Sequence, residues 1–436
     1  MEGADNMFLV DSGIPWLGKI PRTWTVKKVK HGFDRKKKKA QIDDPVVLSL
    51  ARSGVKVRDI STNEGQLAES YYDYNPVEPG DLLLNPMDLY SGANCSISRV
   101  KGVISPAYIN LQAKKGYNPY YYDYYFKVQY WTMAFFAHGK GVSFDNRWTL
   151  NMETLNNYPI VVPSEFEQEK IYKFLDEKCE KINLLITEYQ NSIEEYNILR
   201  QSVICKAITQ GIKGEELVDT GVQWVKAIPK SWKFIPFKYV LNERQEKNSP
   251  VKSKERLSLS IDLGVTLYSD KTTNLDRFKD DFSQYKLAHK GDLVMNSMNM
   301  IVGASGVSNW FGCVSPAYYT FYDNEPDHIT AKYCEYVFRS NVMKRLLHSL
   351  GKGIYAIERG DDRINTCRLK VPRTDLACIK IPLPTVEEQR EIVKFLNEEC
   401  EKIDTLISVK KKLIEELENY RKSLIFDYVT GKKVVN

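Results

Sequence analysis

The residues best suited to chemistry in this chain are cations set among glycines and polar neighbours. Arg35-Lys36-Lys37-Lys38-Lys39 is a run of five positive charges, and Lys247, Lys252, Lys254 and Arg256 form a looser cluster further on. Such groups neutralise phosphates, with affinity that falls as salt rises, or simply solvate a loop. Lys140 and Lys352 each stand between glycines, in Gly-Lys-Gly at 139–141 and 351–353. Glycines let a backbone come close to a phosphate that the ammonium then reaches. Arg147, Arg359 and Arg363 follow in the same stretches. An arginine there has two readings, bidentate bonds to guanine or a cap on the next strand.

Catalytic patterns are missing from the sequence. Gly-Lys-Gly lacks the earlier glycine and the following Ser or Thr of a nucleotide-binding P-loop. Asn118-Pro119-Tyr120-Tyr121 has tyrosine where the Asn-Pro-Pro-aromatic motif of amino-methyltransferases has its second proline. His31, His138, His289, His328 and His348 show no metal-ligand spacing. The carboxylate pairs Asp43-Asp44, Asp280-Asp281 and Asp361-Asp362 lie in polar stretches and read as solvated loops. Eight cysteines occur without a C-x-x-C pair, as expected of reduced thiols.

These groups must be positioned by something, and the sequence writes that frame twice. From Asp11 it reads D-S-G-I-P-W-L-G-K-I-P-R-T-W, and from Asp219 D-T-G-V-Q-W-V-K-A-I-P-K-S-W, so the chain is an internal duplication. Trp16, Trp24, Trp224 and Trp232 read as anchors of these openings. Strand phrases recur, G-D-L-L-L-N-P-M from Gly80 and G-D-L-V-M-N-S-M from Gly291, as do V-I-S-P-A-Y and C-V-S-P-A-Y. Between these landmarks, residues 35–69 and 244–279 share no recognisable pattern and are expected to be different inserts on one scaffold.

Each copy closes with a long helix. P-S-E-F-E-Q-E-K-I from Pro163 leads into Ile171, Leu175, Cys179, Ile182, Ile186, Tyr189, Ile193, Tyr196, Leu199 and Val203. P-T-V-E-E-Q-R-E-I from Pro384 leads into Ile392, Leu396, Cys400, Ile403, Ile407, Ile414, Leu417, Tyr420 and Leu424. Steps of three and four put each set on one helical stripe, and two stripes so narrow are expected to bury each other. The residues expected to pair the helices are Ile171, Leu175, Ile182, Ile186, Ile193, Ile392, Leu396, Ile403, Ile407 and Ile414.

The chain has 436 residues, with 62 basic against 56 acidic side chains, which permits a nucleic-acid partner without demanding one. No apolar run is long enough for a membrane span and no signal peptide is evident, so a cytoplasmic protein with no membrane partner is expected.

The paired I-P-x-x-W openings, the G-D-L phrases and the two E-Q helices, at Glu167-Gln168 and Glu388-Gln389, resemble the DNA-specificity subunit of type I restriction-modification systems. The resemblance covers nearly the whole chain. Departures are Gln223 in the place of Pro15, and Ser164-Glu165 and Thr385-Val386 where many members have Pro-Leu. The resemblance implies an α+β fold, internally duplicated, with two α/β target-recognition domains separated by two long antiparallel coiled-coil helices in pseudo-two-fold symmetry. The segments would be target-recognition domain 1 (1–163), a central helix (164–211), target-recognition domain 2 (212–383) and a C-terminal helix (384–436), the helices serving as spacer and as methyltransferase docking site.

It further implies a non-catalytic subunit of a DNA methylation and phage-defence complex. Its partners would be double-stranded DNA, two methyltransferase subunits and restriction subunits with motor and nuclease activity. S-adenosylmethionine would belong to the methyltransferase, and ATP and Mg to the restriction subunit. Two units with different inserts would read a bipartite, asymmetric target, with the helices as ruler. Glu169, Lys170, Glu177, Glu391, Lys394 and Glu398, away from the apolar stripes, are candidates for methyltransferase docking. The competing expectations are a coiled-coil protein-interaction adaptor without DNA specificity, and a magnesium nuclease using Asp361 and Asp362.

Overall fold

The computed structural model describes residues 8–51, 54–60, 68–87, 89, 95–141, 148–270, 281–353 and 369–435. The chain divides into two compact units, one of residues 1–189 with 411–436 and one of 190–410. Each therefore holds one strand-rich part together with half of each long helix, Glu165–Gln210 and Val386–Val429.

In the first unit a hairpin of Leu9–Asp11 with Lys19–Pro21 opens the chain. Thr25–Lys28 then pairs with Pro159–Val162, which sets the unit's opening beside the strand that leads into the first long helix. A four-stranded antiparallel sheet follows in the order Phe33–Arg35, Ile109–Ala113, Leu82–Leu84, Cys95–Ile97. The helix Pro119–Trp131 packs on this sheet through Tyr121, Tyr122, Tyr125 and Phe126, all fully buried. Asn118 starts that helix, its side chain accepting from Tyr120 N at 2.9 Å with Pro119 at the first helical position. Capping thus explains the Asn-Pro pair that resembled a methyltransferase motif.

The second unit repeats this topology. Leu217–Val222 pairs with Val225–Pro229, and Lys233–Pro236 with Lys380–Leu383. The four-stranded sheet runs Asn242–Glu243, Tyr318–Tyr322, Leu293–Asn296, Ser305–Val307. Ile329–Arg339 covers it, followed by a second helix, Asn341–Leu350. Ser340 breaks the two, its hydroxyl accepting from Met343 N at 3.3 Å as a new N-cap.

The expectation of unlike inserts is corrected here. The first unit has a hairpin of Leu48–Ala51 with Gly54–Val57, and the second one of Leu257–Ser260 with Gly264–Leu267. Each lies beside a further strand pair, Asn75–Val77 with Gly102–Ile104 and Lys286–Ala288 with Gly312–Val314. The approach is tight enough to require glycine: a Cβ on Gly102 would stand 2.5 Å from the Val46 carbonyl oxygen, and one on Gly312 2.8 Å from that of Glu255. Residues 244–270 are thus no removable insert, since Leu257, Leu259 and Val265 share a core with Ala288, Val294, Ala304 and Val314.

The long helices pair antiparallel within each unit. In the first, Phe174 meets Tyr428 at 4.6 Å between rings, and Asn183 bonds Arg421. In the second, Arg200 bonds Asp404 at 2.6 Å, and Gly211 lies by Glu388. Ile171, Leu175, Ile182, Ile186, Ile392, Leu396, Ile403 and Ile407 are buried, whereas Ile193 and Ile414 are half-buried. Burying each such side chain contributes about 1.5–3 kcal/mol. Leu199 and Tyr420 leave the expected stripe and are 49% and 57% exposed. A helix advances 100° per residue, so a stripe extended in steps of three and four drifts off the buried face.

The repeated phrases have structural work at the helix ends. Ser164 N-caps the first long helix: its hydroxyl accepts from Glu167 N at 3.2 Å while the Glu167 carboxylate accepts from Ser164 N at 3.0 Å. Thr385 accepts from Glu388 N at 3.3 Å in the second. Gln168 and Gln389 donate back to the carbonyls of Pro163 and Pro384, at 2.9 and 3.0 Å. The far ends close on the openings. Gly431 abuts Pro21 and Trp24, Gly211 abuts Pro229 and Trp232, and Tyr121 donates to Val429 O at 2.8 Å.

Candidate nucleic-acid interface

In each unit the Gly-Lys-Gly lysine forms an isolated antiparallel bridge, Lys140 with Thr149 and Lys352 with Lys370. Lys140 and Thr149 exchange two backbone bonds of 2.9 Å, and Leu150 N donates to Pro86 O at 2.9 Å. Lys352 and Lys370 likewise exchange two bonds of 2.9 Å, and Val371 N donates to Ser297 O at 3.0 Å. The neighbouring turns match, with Asn85 accepting from Met87 N and Asn296 from Met298 N. Identical ladders thus hold both lysines beside a tight turn at the end of the Gly-Asp-Leu strand. Lys140 is exposed and carries no ion pair among the described residues. Lys352 is paired with Asp375 at 2.8 Å, a bond that holds the Asp375 carboxyl below its ordinary range. Arg147, Arg359 and Arg363 lie outside the described residues, as do Asp361 and Asp362.

The basic run divides. Lys37 and Lys38 are exposed, and Lys39 makes an exposed pair with Asp73, of a kind that contributes about 0–1 kcal/mol. Lys36 turns inward instead, to the buried Asp81 carboxylate at 2.9 Å. Its charge is committed to the fold rather than offered to a phosphate. The second unit has the same device: Arg244 grips the buried Asp292 through two bonds of 2.6 and 3.0 Å. That bond raises the Arg244 pKa against the opposing effect of burial.

In the second cluster Lys254 is exposed without an ion pair among the described residues, while Lys252 bonds Glu246 at 2.6 Å. Glu246 also bonds His289 at 2.7 Å, and the two partners hold its carboxyl below the usual range. Arg256 lies over the Phe282 ring at 4.8 Å. Sequence reasoning missed Lys286, whose ammonium donates to Tyr318 O at 3.0 Å. Burial lowers its pKa, and the charges of Arg373 and Lys370 lower it further. No spacing marks this group, because Lys286 and Lys370 come from strands distant in sequence. The exposed cations Lys37, Lys38, Lys140 and Lys254, with Lys352 behind a weak pair, can engage phosphates.

Catalytic grouping is sparse. Among the described residues no cluster of His, Cys, Asp and Glu could hold a metal ion. Burial pushes the thiols of Cys95 and Cys334 up, away from the thiolate a nucleophile needs. No helix of the described residues is long and apolar enough to cross a membrane.

Of the six docking candidates, Glu169 is half-buried and accepts from Asn118 Nδ2 at 2.6 Å. Glu177 pairs with Lys181 at 2.6 Å, and Glu391 with Lys213. Lys170, Lys394 and Glu398 are exposed.

No protein-family model matches the chain. Over 367 residues, 82% of this chain and 80% of the other, it is 24% identical to the type I restriction enzyme MjaVIII specificity subunit of Methanocaldococcus jannaschii. It superposes with a TM-score of 0.66 on a chain of a type I R-M system whose structure concerns complex assembly and conformational transition, at 14% identity over 95% of this chain and 100% of that one. The HsdS subunit from Thermoanaerobacter tengcongensis matches at 14% identity and a TM-score of 0.49, over 95% and 98%. The fold is thus one found in type I restriction-modification structures. The chain is a relative of type I restriction enzyme specificity subunits, as its repeated phrases suggested.

Proposed function

We propose that this chain is the DNA-specificity subunit of a type I restriction-modification complex and reads an asymmetric bipartite target, one half-site per unit. The observation that carries the reading is the duplicated frame with unlike side chains at matching bridges. Lys140 makes no ion pair among the described residues where Lys352 is paired, and Thr149 stands where the second unit has Lys370. Identical ladders present different groups, which suits two readers of different half-sites. The long helices, 46 and 44 residues or about 65–70 Å, set the unspecified gap, for which ~20 base pairs is the ceiling.

On this reading the chain does no chemistry. A docked methyltransferase subunit supplies S-adenosylmethionine and extracts the target base from the duplex. A restriction subunit, where one joins, supplies ATP and magnesium, and the whole assembly works in the cytoplasm.

The test is to co-express the chain with its neighbouring methyltransferase in a methylation-free host and sequence modified bases. One motif with two unlike halves and a fixed gap is expected, and adding one turn to both helices should change the gap alone. Co-purification without any motif would overturn the reading in favour of a protein adaptor.

A further inference from the structure

The second unit holds a cavity of about 690 Å3 between loop 261–263 of its hairpin, the helix Ile329–Arg339 and the nearby stretches of the long helices. Arg339 braces the loop, donating from Nη2 to the Ile261 and Asp262 carbonyls at 2.8 Å each, and is itself held by Glu335 at 3.1 Å.

The first unit carries bulkier groups at the matching positions. Tyr124 and Tyr336 fix the correspondence, since each bonds its long helix, to Asp176 at 3.3 Å and to Asn397 at 2.6 Å. Counted from them, Tyr120 stacks on Tyr172 at 4.9 Å between rings where the second unit has Lys332 and Val393. Arg99 and Asn309 each follow a serine whose hydroxyl donates two residues on, to Val100 O and Trp310 O. Arg99 reaches across to Asp176 at 3.4 Å, and the shorter Asn309 lines the cavity. Two rings and an arginine are thus exchanged for a lysine, a valine and an asparagine, which leaves the space open.

The lining is cationic with an unused carboxylate. Lys332 and Lys344 make no ion pair among the described residues. Arg200 bonds Asp404 at 2.6 Å, yet its buried Nε has no hydrogen-bond partner among those residues. Gly303, at φ +94°, lets Lys344 lie close, since a Cβ there would stand 2.5 Å from Lys344 Cε. Burial, and then the charges of Arg339 and Arg200, lower the Lys344 pKa against the opposing pull of Asp262. A bound anion relieves that repulsion. Asp262 is exposed with no ion pair among the described residues, and Ile261 and Leu263 beside it are exposed apolar side chains. A carboxylate accepts from hydroxyl donors, and apolar side chains cover a ring.

We propose that this cavity binds a nucleoside monophosphate, with Lys344, Lys332 and Arg200 on the phosphate, Asp262 on the sugar hydroxyls, and Ile261 and Leu263 on the base. The site belongs to the second unit alone, and its occupant ties the hairpin loop to the long helices. A phosphate can come from a free nucleotide or from a DNA strand, and the test separates the two sources.

Isothermal titration calorimetry of the intact chain with AMP, CMP, GMP and UMP, beside inorganic phosphate, adenosine and a DNA duplex without terminal phosphates, tests this. At least one nucleotide should bind at one site per chain, more tightly than phosphate or adenosine, and the duplex should not displace it. Lys344→Met should weaken the nucleotide about ten- to a hundredfold. Asp262→Asn should weaken it about tenfold while leaving inorganic phosphate no weaker. Lys332→Tyr with Val393→Tyr copies the first unit's stacked pair and should abolish binding. Lys344→Met and Asp262→Asn change half-buried or exposed side chains, and carry the test if the paired tyrosines misfold. Silence with all the nucleotides, two sites per chain, unchanged affinity in Lys344→Met, or full displacement by the duplex would each overturn the proposal, the last by revealing a DNA phosphate contact instead. None of these bears on target reading, which the methylation motif tests separately.

Discussion

In the first unit the buried aspartate of the Gly-Asp-Leu phrase, Asp81, is held by Lys36, by Asn110 Nδ2 at 3.0 Å and by Glu78 N at 2.9 Å. In the second, Asp292 is held by the two-pronged Arg244 and by His289 N at 2.8 Å. The duplicated frame keeps the buried charge and the donors that satisfy it, while the cation and its helpers have changed. A single point charge with amide support and an arginine fork are alternative solutions to one desolvation problem. They differ in how much depends on the cation.

Removing each cation is the sharpest way to break that comparison. Arg244→Met strips two of the three bonds from a carboxylate that cannot reach water, at a cost of about 3–5 kcal/mol. Lys36→Met leaves Asp81 with two donors, and a loss of about 1–3 kcal/mol is expected. Hydrogen exchange should localise each loss to its own unit. Equal losses would mean that the fork and the point charge are interchangeable here.

The helix ends give a smaller contrast. Gly211 and Gly431 both adopt left-handed backbone, φ +70° and +69°. A Cβ at Gly431 would come 2.4 Å from Pro21 Cδ, whereas at Gly211 the nearest atom, Trp232 Cζ2, is 3.1 Å away. Gly211→Ala should therefore cost about 1–2 kcal/mol, mainly backbone strain. Gly431→Ala adds the overpacking of a rigid proline ring, for about 2–4 kcal/mol in all. Thermal unfolding of the two variants ranks them, and the reverse order would show that the second unit's tryptophan yields less than the proline does.

The frame was legible because its signals are long or repeated. Stripes running from Ile171 to Val203 and from Ile392 to Leu424 specify helices whatever the local propensity, and the fourteen-position openings declare the duplication. Less was legible where one side chain decides the outcome. Five consecutive cations look alike in sequence, yet the sheet pairing that continues past Arg35, with Lys36 N donating to Asn110 O, turns the Lys36 side chain to the core. The apparent inserts hid a shared hairpin because only Leu48-Ser49-Leu50 and Leu257-Ser258-Leu259 persist, three residues against a background of drifting surface positions. The interface cations stayed unranked for the same reason: whether a lysine is held, like Lys252, or exposed without an ion pair among the described residues, like Lys254, depends on a carboxylate from elsewhere in the chain.

The E-Q phrases separate what marks a family from what does its work. Glu167 and Glu388 sit at the third helical position, and Gln168 and Gln389 reach back to a proline carbonyl, so both phrases serve to start a helix. The starts are unequal. Ser164 and Glu167 form a reciprocal box, with the Ser164 hydroxyl also donating to the Glu167 carboxylate at 2.6 Å, whereas Thr385 provides one longer bond to Glu388 N. Ser164→Ala should then lower stability by about 1 kcal/mol and Thr385→Ala by about 0.5 kcal/mol. Urea unfolding resolves that difference if each variant is compared with its unaltered parent at fixed protein concentration. Since neither phrase touches the bridges at Lys140 and Lys352, the two variants should leave the methylated motif intact. A changed half-site in either would mean that helix starts and reading loops are coupled, and that the boundary drawn between frame and interface is misplaced.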